Sequence, residues 1–129
     1  MPSSRPRAWV TGLGLISPLA HRVGEFWNAL LEGRTGTKAL TFDWLVGRRF
    51  QTRIGAPVEG FDLETWGYTA RDLRFLDPVA QYALAATHDA LVDARLGVTL
   101  VEGKSASFAV DGVDPGRVAV VVGSGMGGI

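Results

Sequence analysis

Two glycine-rich turns hold the residue patterns of this chain that could do chemistry. Gly123-Ser-Gly-Met-Gly-Gly128 matches G-x-G-x-x-G and follows an unbroken apolar run. In that arrangement a dinucleotide phosphate can sit over glycine amides at a helix N-terminus. The helix that should receive the pyrophosphate, and the acidic residue about 20 positions further on, do not follow it within the 129 residues. Gly12-Leu-Gly-Leu-Ile-Ser17 nearly repeats the pattern, but Pro18 and Leu19 close that turn and the next helix starts too late. For both turns the simpler reading is that glycine lets two backbones pass closely, and nucleotide binding ranks behind it.

The remaining candidates lack partners. His21 precedes the first helical pattern and reads as solvated, while His88 falls inside an alanine-rich stretch as a core or surface residue. Neither has a carboxylate at a spacing that would make an acid–base pair. Asp89 and Asp93, at i and i+4, read as a solvated helix face. Ser17 and Ser124 lie in turns with no base beside them, so no serine nucleophile elbow is supported. Trp9, Trp27, Trp44 and Trp66 lack the basic interleaving of a base-stacking platform and read as packing or interface residues. There is no cysteine, which excludes disulfides, thiolate metal sites and a cysteine nucleophile within these residues. No metal site is expected.

Rigid elements must hold these turns. Residues 118–122 are β-branched apart from Ala119 and show no polar alternation, which predicts a central strand covered on both faces, with the Asp114-Pro-Gly turn ahead of it. A short buried strand is expected at residues 8–12, ending in the tight turn at Gly12, Gly14 and Pro18. Val23, Phe26, Trp27, Leu30 and Leu31 fall at helical spacing, with Glu25 in the first turn and Gly33 as the stop, predicting a helix over about residues 22–32. Periodicity dissolves from 34 to 68, which predicts irregular connection with an edge strand near 52–56. Asp77-Pro78 then opens a long helix. Its Ala80, Ala83, Leu84, Ala86, Ala90, Leu91 and Ala94 suit close packing, and it should run to about 95 and stop at Gly97. Residues 98–116 read as a weakly ordered loop. The order is β, α, irregular, α, loop, β, an α/β pattern without internal repeats.

Composition narrows the class. A 47% hydrophobic content and a mean hydropathy of +0.15 argue for a packed chain rather than a disordered one. Thirteen basic residues balance thirteen acidic ones, and no Lys/Arg cluster exceeds short pairs such as Arg48-Arg49, so nucleic acid is not an expected partner. No segment reaches the roughly 20 apolar residues of a membrane helix, and the N-terminal residues lack a signal-peptide apolar region. No membrane association and a cytoplasmic location are therefore expected.

Four blocks together carry a resemblance that no single motif does. They are Val10-Thr-Gly-Leu-Gly-Leu-Ile-Ser-Pro-Leu19, Phe26-Trp-Asn-Ala-Leu-Leu-Glu-Gly-Arg-Thr-Gly36, Leu76-Asp-Pro-Val-Ala-Gln-Tyr-Ala-Leu-Ala-Ala86 with Ala90-Leu-Val-Asp-Ala94, and Val120-Val-Val-Gly-Ser-Gly-Met-Gly-Gly128. In this order and spacing the chain resembles the opening segments of β-ketoacyl-acyl-carrier-protein synthases, most closely the elongating enzymes of fatty-acid synthesis and the polyketide ketosynthases. The resemblance implies a thiolase-like fold, of which residues 1–129 would be an incomplete N-terminal domain, part of the first α/β half and truncated before the catalytic cysteine. Trp9 to Gly12 and residues 118–122 would be core strands, and the alanine-rich helix a buried one.

The reaction so implied is a decarboxylative Claisen condensation of an acyl thioester with malonyl carrier protein, run by a cysteine and two histidines in a homodimer. None of those residues is in this chain, because the cysteine and both histidines would come later and His21 and His88 match neither. The one functional position that transfers is Met126, expected to line the acyl pocket, supported by the glycine loop of Gly123, Gly125, Gly127 and Gly128. No cofactor is implied, since phosphopantetheine arrives on the acyl carrier protein, the expected partner. Alone, the chain should not condense anything and should aggregate or stay molten, its two strands lacking neighbours. The rival reading is a non-catalytic module that binds a ketosynthase partner or acidic carrier protein, with Arg48, Arg49 and Arg53 as a small basic patch. Arg95, standing where the family often has glycine, is expected to move the helix stop to Gly97.

Overall fold

A computed structural model describes residues 7–42, 51–101 and 107–125. Its elements are α1 (Val23–Leu31), β1 (Lys38–Ala39), β2 (Ile54–Gly55), a 3₁₀ turn (Leu63–Trp66), α2 (Ala70–Leu73), α3 (Pro78–Asp93), β3 (Val98–Leu100), β4 (Phe108–Val110) and a second 3₁₀ turn (Pro115–Arg117). This is a mixed arrangement of helices and small sheets, with α3 as its axis.

The helices form where local chemistry sets them. Asp77 caps α3, its carboxylate accepting from the Ala80 amide at 2.9 Å, and Pro78 follows at the first helical position. The end of α3 differs from expectation. Arg95 itself takes the left-handed conformation, φ 60°, while its amide bonds Val92 O at 2.9 Å and the Leu96 amide bonds Leu91 O at 3.0 Å. That pair of bonds is a Schellman stop built without glycine. Gly97 has a different task, because a Cβ there would stand 2.5 Å from the Asp111 carboxylate. At the end of α1 the same motif uses Gly33, φ 69°, with bonds from Gly33 to Leu30 O and from Arg34 to Ala29 O.

Both small sheets are antiparallel pairs. β1 pairs with β2, Lys38 opposite Gly55, which places the expected edge strand and gives it a partner. β3 pairs with β4, Thr99 opposite Ala109, so the part of 98–116 read as a weakly ordered loop contains a hairpin. Val98, Leu100, Phe108 and Val110 are half-buried and Thr99 and Ala109 are not, a period-2 signal too short to stand out in sequence.

The core centres on Leu63, Trp66 and Tyr68, packed on Ala85 of α3, with Ile16, Phe61, Leu73, Leu76, Leu84 and Leu100 around them. Three of its four members thus come from the stretch whose periodicity dissolves. One 3₁₀ turn places Leu63 and Trp66 together, and three-residue spacing over four positions leaves no pattern to read.

The two expected core strands do not form. Residues 8–12 and 118–122 have no strand pairing among the described residues. Val120 and Val121 are 84% and 91% exposed, and Trp9 and Val10 are 78% and 82% exposed. A strand draws its hydrogen bonds and both its covers from elsewhere in the molecule, and no described segment supplies them here. Helix α1 shows the same shortfall, with Ala29 buried while Trp27, Leu30 and Leu31 remain exposed.

Candidate functional site

The carboxyl-terminal glycine turn is the first place to look for a site. Its approach is built as the sequence implies. Asp114 accepts from the Gly116 amide at 2.9 Å, and Pro115–Arg117 makes one 3₁₀ turn into extended backbone at Val118. Gly123 and Gly125 then lie in the open, where a Cβ would meet nothing within 4 Å. Neither glycine is required by packing among the described residues. Met126, Gly127 and Gly128 lie outside the described residues.

The amino-terminal glycine turn is clamped instead. A Cβ on Gly12 would stand 2.0 Å from Ala90 O, and one on Gly14 would stand 1.9 Å from Ala86 O. Only glycine permits that approach to a helix backbone, and the alanines of α3 complete it. The Leu13 amide donates to Asp93 Oδ2 at 2.9 Å, so Asp93 is exposed yet holds the turn. Thr11, Gly12 and Gly14 with Ala86, Thr87, Ala90, Leu91, Ala94 and Leu96 line an open cleft of about 380 Å³. Its lining has no basic side chain, and a carboxylate already holds the Leu13 amide. A phosphate would meet repulsion there, so the packing role of these glycines stands and the nucleotide reading finds no support in this turn. Ser17 is also committed, its hydroxyl donating to Ala20 O and accepting from the Leu19 and Ala20 amides.

The polar centre of the molecule has no counterpart in the sequence patterns. Asp89 Oδ1 accepts from Arg22 Nη1 at 2.6 Å and from Trp66 Nε1 at 2.8 Å, and the Arg22 guanidinium lies 4.7 Å from the Trp66 ring centre. The Asp89 side chain is only 13% exposed, against 51% for Arg22. Asp89 is therefore no solvated-face residue, since it ties the start of α1 and the first 3₁₀ turn to α3. Asp93, one turn on, keeps the exposure expected of it. The available signal was helical spacing, because Asp89 lies four residues after Ala85, which faces the core.

Among the described residues the histidines make no acid–base pair. His88 Nδ1 is buried 3.7 Å from Asp89 Oδ1 and makes no hydrogen bond. His21 is half-buried with its ring edge-on to Phe61, centroids 5.7 Å apart, rather than solvated. Of the tryptophans, Trp66 alone among those described is buried, Trp9 and Trp27 are exposed, and Trp44 lies outside the described residues. Among the described residues no group of three or more His, Asp or Glu side chains could hold a metal ion. No described helix is long and apolar enough to cross a membrane.

The described residues assemble no catalytic grouping, and the chain's relationships say where it belongs. The model of the β-ketoacyl synthase N-terminal domain matches residues 6–129. The chain belongs to the β-ketoacyl synthase family. It is 35% identical over 126 residues to a 3-oxoacyl-[acyl-carrier-protein] synthase 2 of Vibrio cholerae, covering 98% of this chain and 27% of that protein. A chloroplastic 3-oxoacyl-[acyl-carrier-protein] synthase I of Arabidopsis thaliana is 31% identical over 126 residues, 97% of this chain and 24% of its own length. A Streptomyces violaceoruber protein, whose name assigns it to granaticin polyketide synthesis as a β-ketoacyl synthase 1, is 32% identical over 118 residues, 92% of this chain and 24% of its own length. The chain thus spans about a quarter of the length of the curated relatives it matches.

For a β-ketoacyl synthase N-terminal segment, the arrangement around α3 is a scaffold. Its glycine contacts hold the amino-terminal turn, and its Asp89 node holds the start of α1 and the first 3₁₀ turn, to one helix.

Proposed function

We propose that this chain is the N-terminal part of a condensing enzyme that joins an acyl thioester to malonyl-acyl carrier protein with loss of carbon dioxide, in fatty-acid or polyketide synthesis. The observation that carries the reading is the family match through residues 6–129 in a chain that spans about a quarter of its relatives. The absence of cysteine from the 129 residues supports its corollary, that this segment by itself is inactive. In the complete protein we place it in a thiolase-like fold, in a cytoplasmic homodimer, with acyl carrier protein as partner and no cofactor beyond the phosphopantetheine that carrier brings. Met126 lines the acyl pocket, where a flexible thioether suits a hydrocarbon chain, and Gly123, Gly125, Gly127 and Gly128 let the backbone turn beside it.

The test follows the reading frame past the codon for Ile129 and assays its product. A cysteine and two later histidines, carbon dioxide release from malonyl carrier protein and a 3-oxoacyl thioester product are expected. A product carrying those residues that condenses neither substrate pair overturns the proposal. Saturable carrier-protein binding by residues 1–129 alone, with a frame that stops there, would favour the rival binding module.

A further inference from the structure

We draw no further inference here: the strongest candidate, the uncovered apolar surface of Trp9 and Val10 beside the first glycine turn together with residues 118–122, carries nothing, because the one occupant the family match supports is the remainder of a β-ketoacyl synthase, which restates an established property of that family.

Discussion

Asp89 shows how burial rather than residue type assigns a role. Its carboxylate receives an indole N–H and a guanidinium on one oxygen, and the two bonds differ in worth. Arg22 is half-exposed, so solvent screens its attraction and its removal should cost about 1 kcal/mol or less. Asp89 is largely buried, and losing it leaves the Trp66 N–H without its acceptor, which should cost about 2–3 kcal/mol. Amide hydrogen exchange across α3 therefore should accelerate much more for Asp89→Ala than for Arg22→Ala. Equal effects would show that the ion pair, not the buried acceptor, does the stabilising. Tyr68 gives the pH counterpart. Burial, with Asp72 adding repulsion, raises its phenol above the ordinary value near 10, and its buried hydroxyl has no hydrogen-bond partner. A group whose pKa is raised on folding contributes stability fully present below the unfolded value and lost as pH rises toward the folded one. Helical signal should accordingly fall above pH 10, and Tyr68→Phe should flatten that alkaline loss at no cost near neutrality. An unchanged alkaline limb in the variant would assign the loss to other groups.

Among the elements, α3 is the best specified and carries one strained position. An L-residue in the left-handed region costs about 1–2 kcal/mol, and Arg95 holds that conformation because two backbone bonds close the helix around it. Arg95→Gly should remove the strain and stabilise the end of α3 by about 1 kcal/mol. Slower exchange of the Leu96 amide in the variant would report it, and faster exchange would mean that the arginine side chain contributes more than its backbone costs. The helix boundaries are readable because caps are local. Asp77, Pro78 and Gly33 act on neighbours within four positions, and the structure places α1 and α3 within two residues of their expected limits. The stop of α3 escapes sequence reading because backbone bonds can force a non-glycine residue into a conformation that composition disfavours. The β3–β4 hairpin escapes it because three residues per strand show too little alternation.

At the scale of the molecule, surface decides the behaviour. A compact monomer of this mass, 13.8 kDa, should expose about 6,600 Å². This chain exposes 10467 Å², more than half as much again. Val118, Val120, Val121 and Val122 contribute to that excess with Trp9, Val10, Trp27 and Leu31. Residues 1–129 in isolation should therefore bind a hydrophobic dye such as ANS and sediment as concentration-dependent oligomers. A monodisperse monomer with a sharp cooperative thermal transition would contradict this.

The division between sequence and tertiary structure follows the range of the interactions. Sequence alone determined the starts of α1 and α3, the turn at Asp114, the packing role of Gly12 and Gly14 and the family, since each is encoded within a few residues or by collinear blocks. It also marked 8–12 and 118–122 as apolar runs requiring cover. Only the tertiary structure decided that these runs stay unpaired here, that the core draws on 63–68, and that Asp89 faces inward. Strand pairing, burial and the partners of a carboxylate are set by segments far apart in the chain, and no local pattern records which of them will meet.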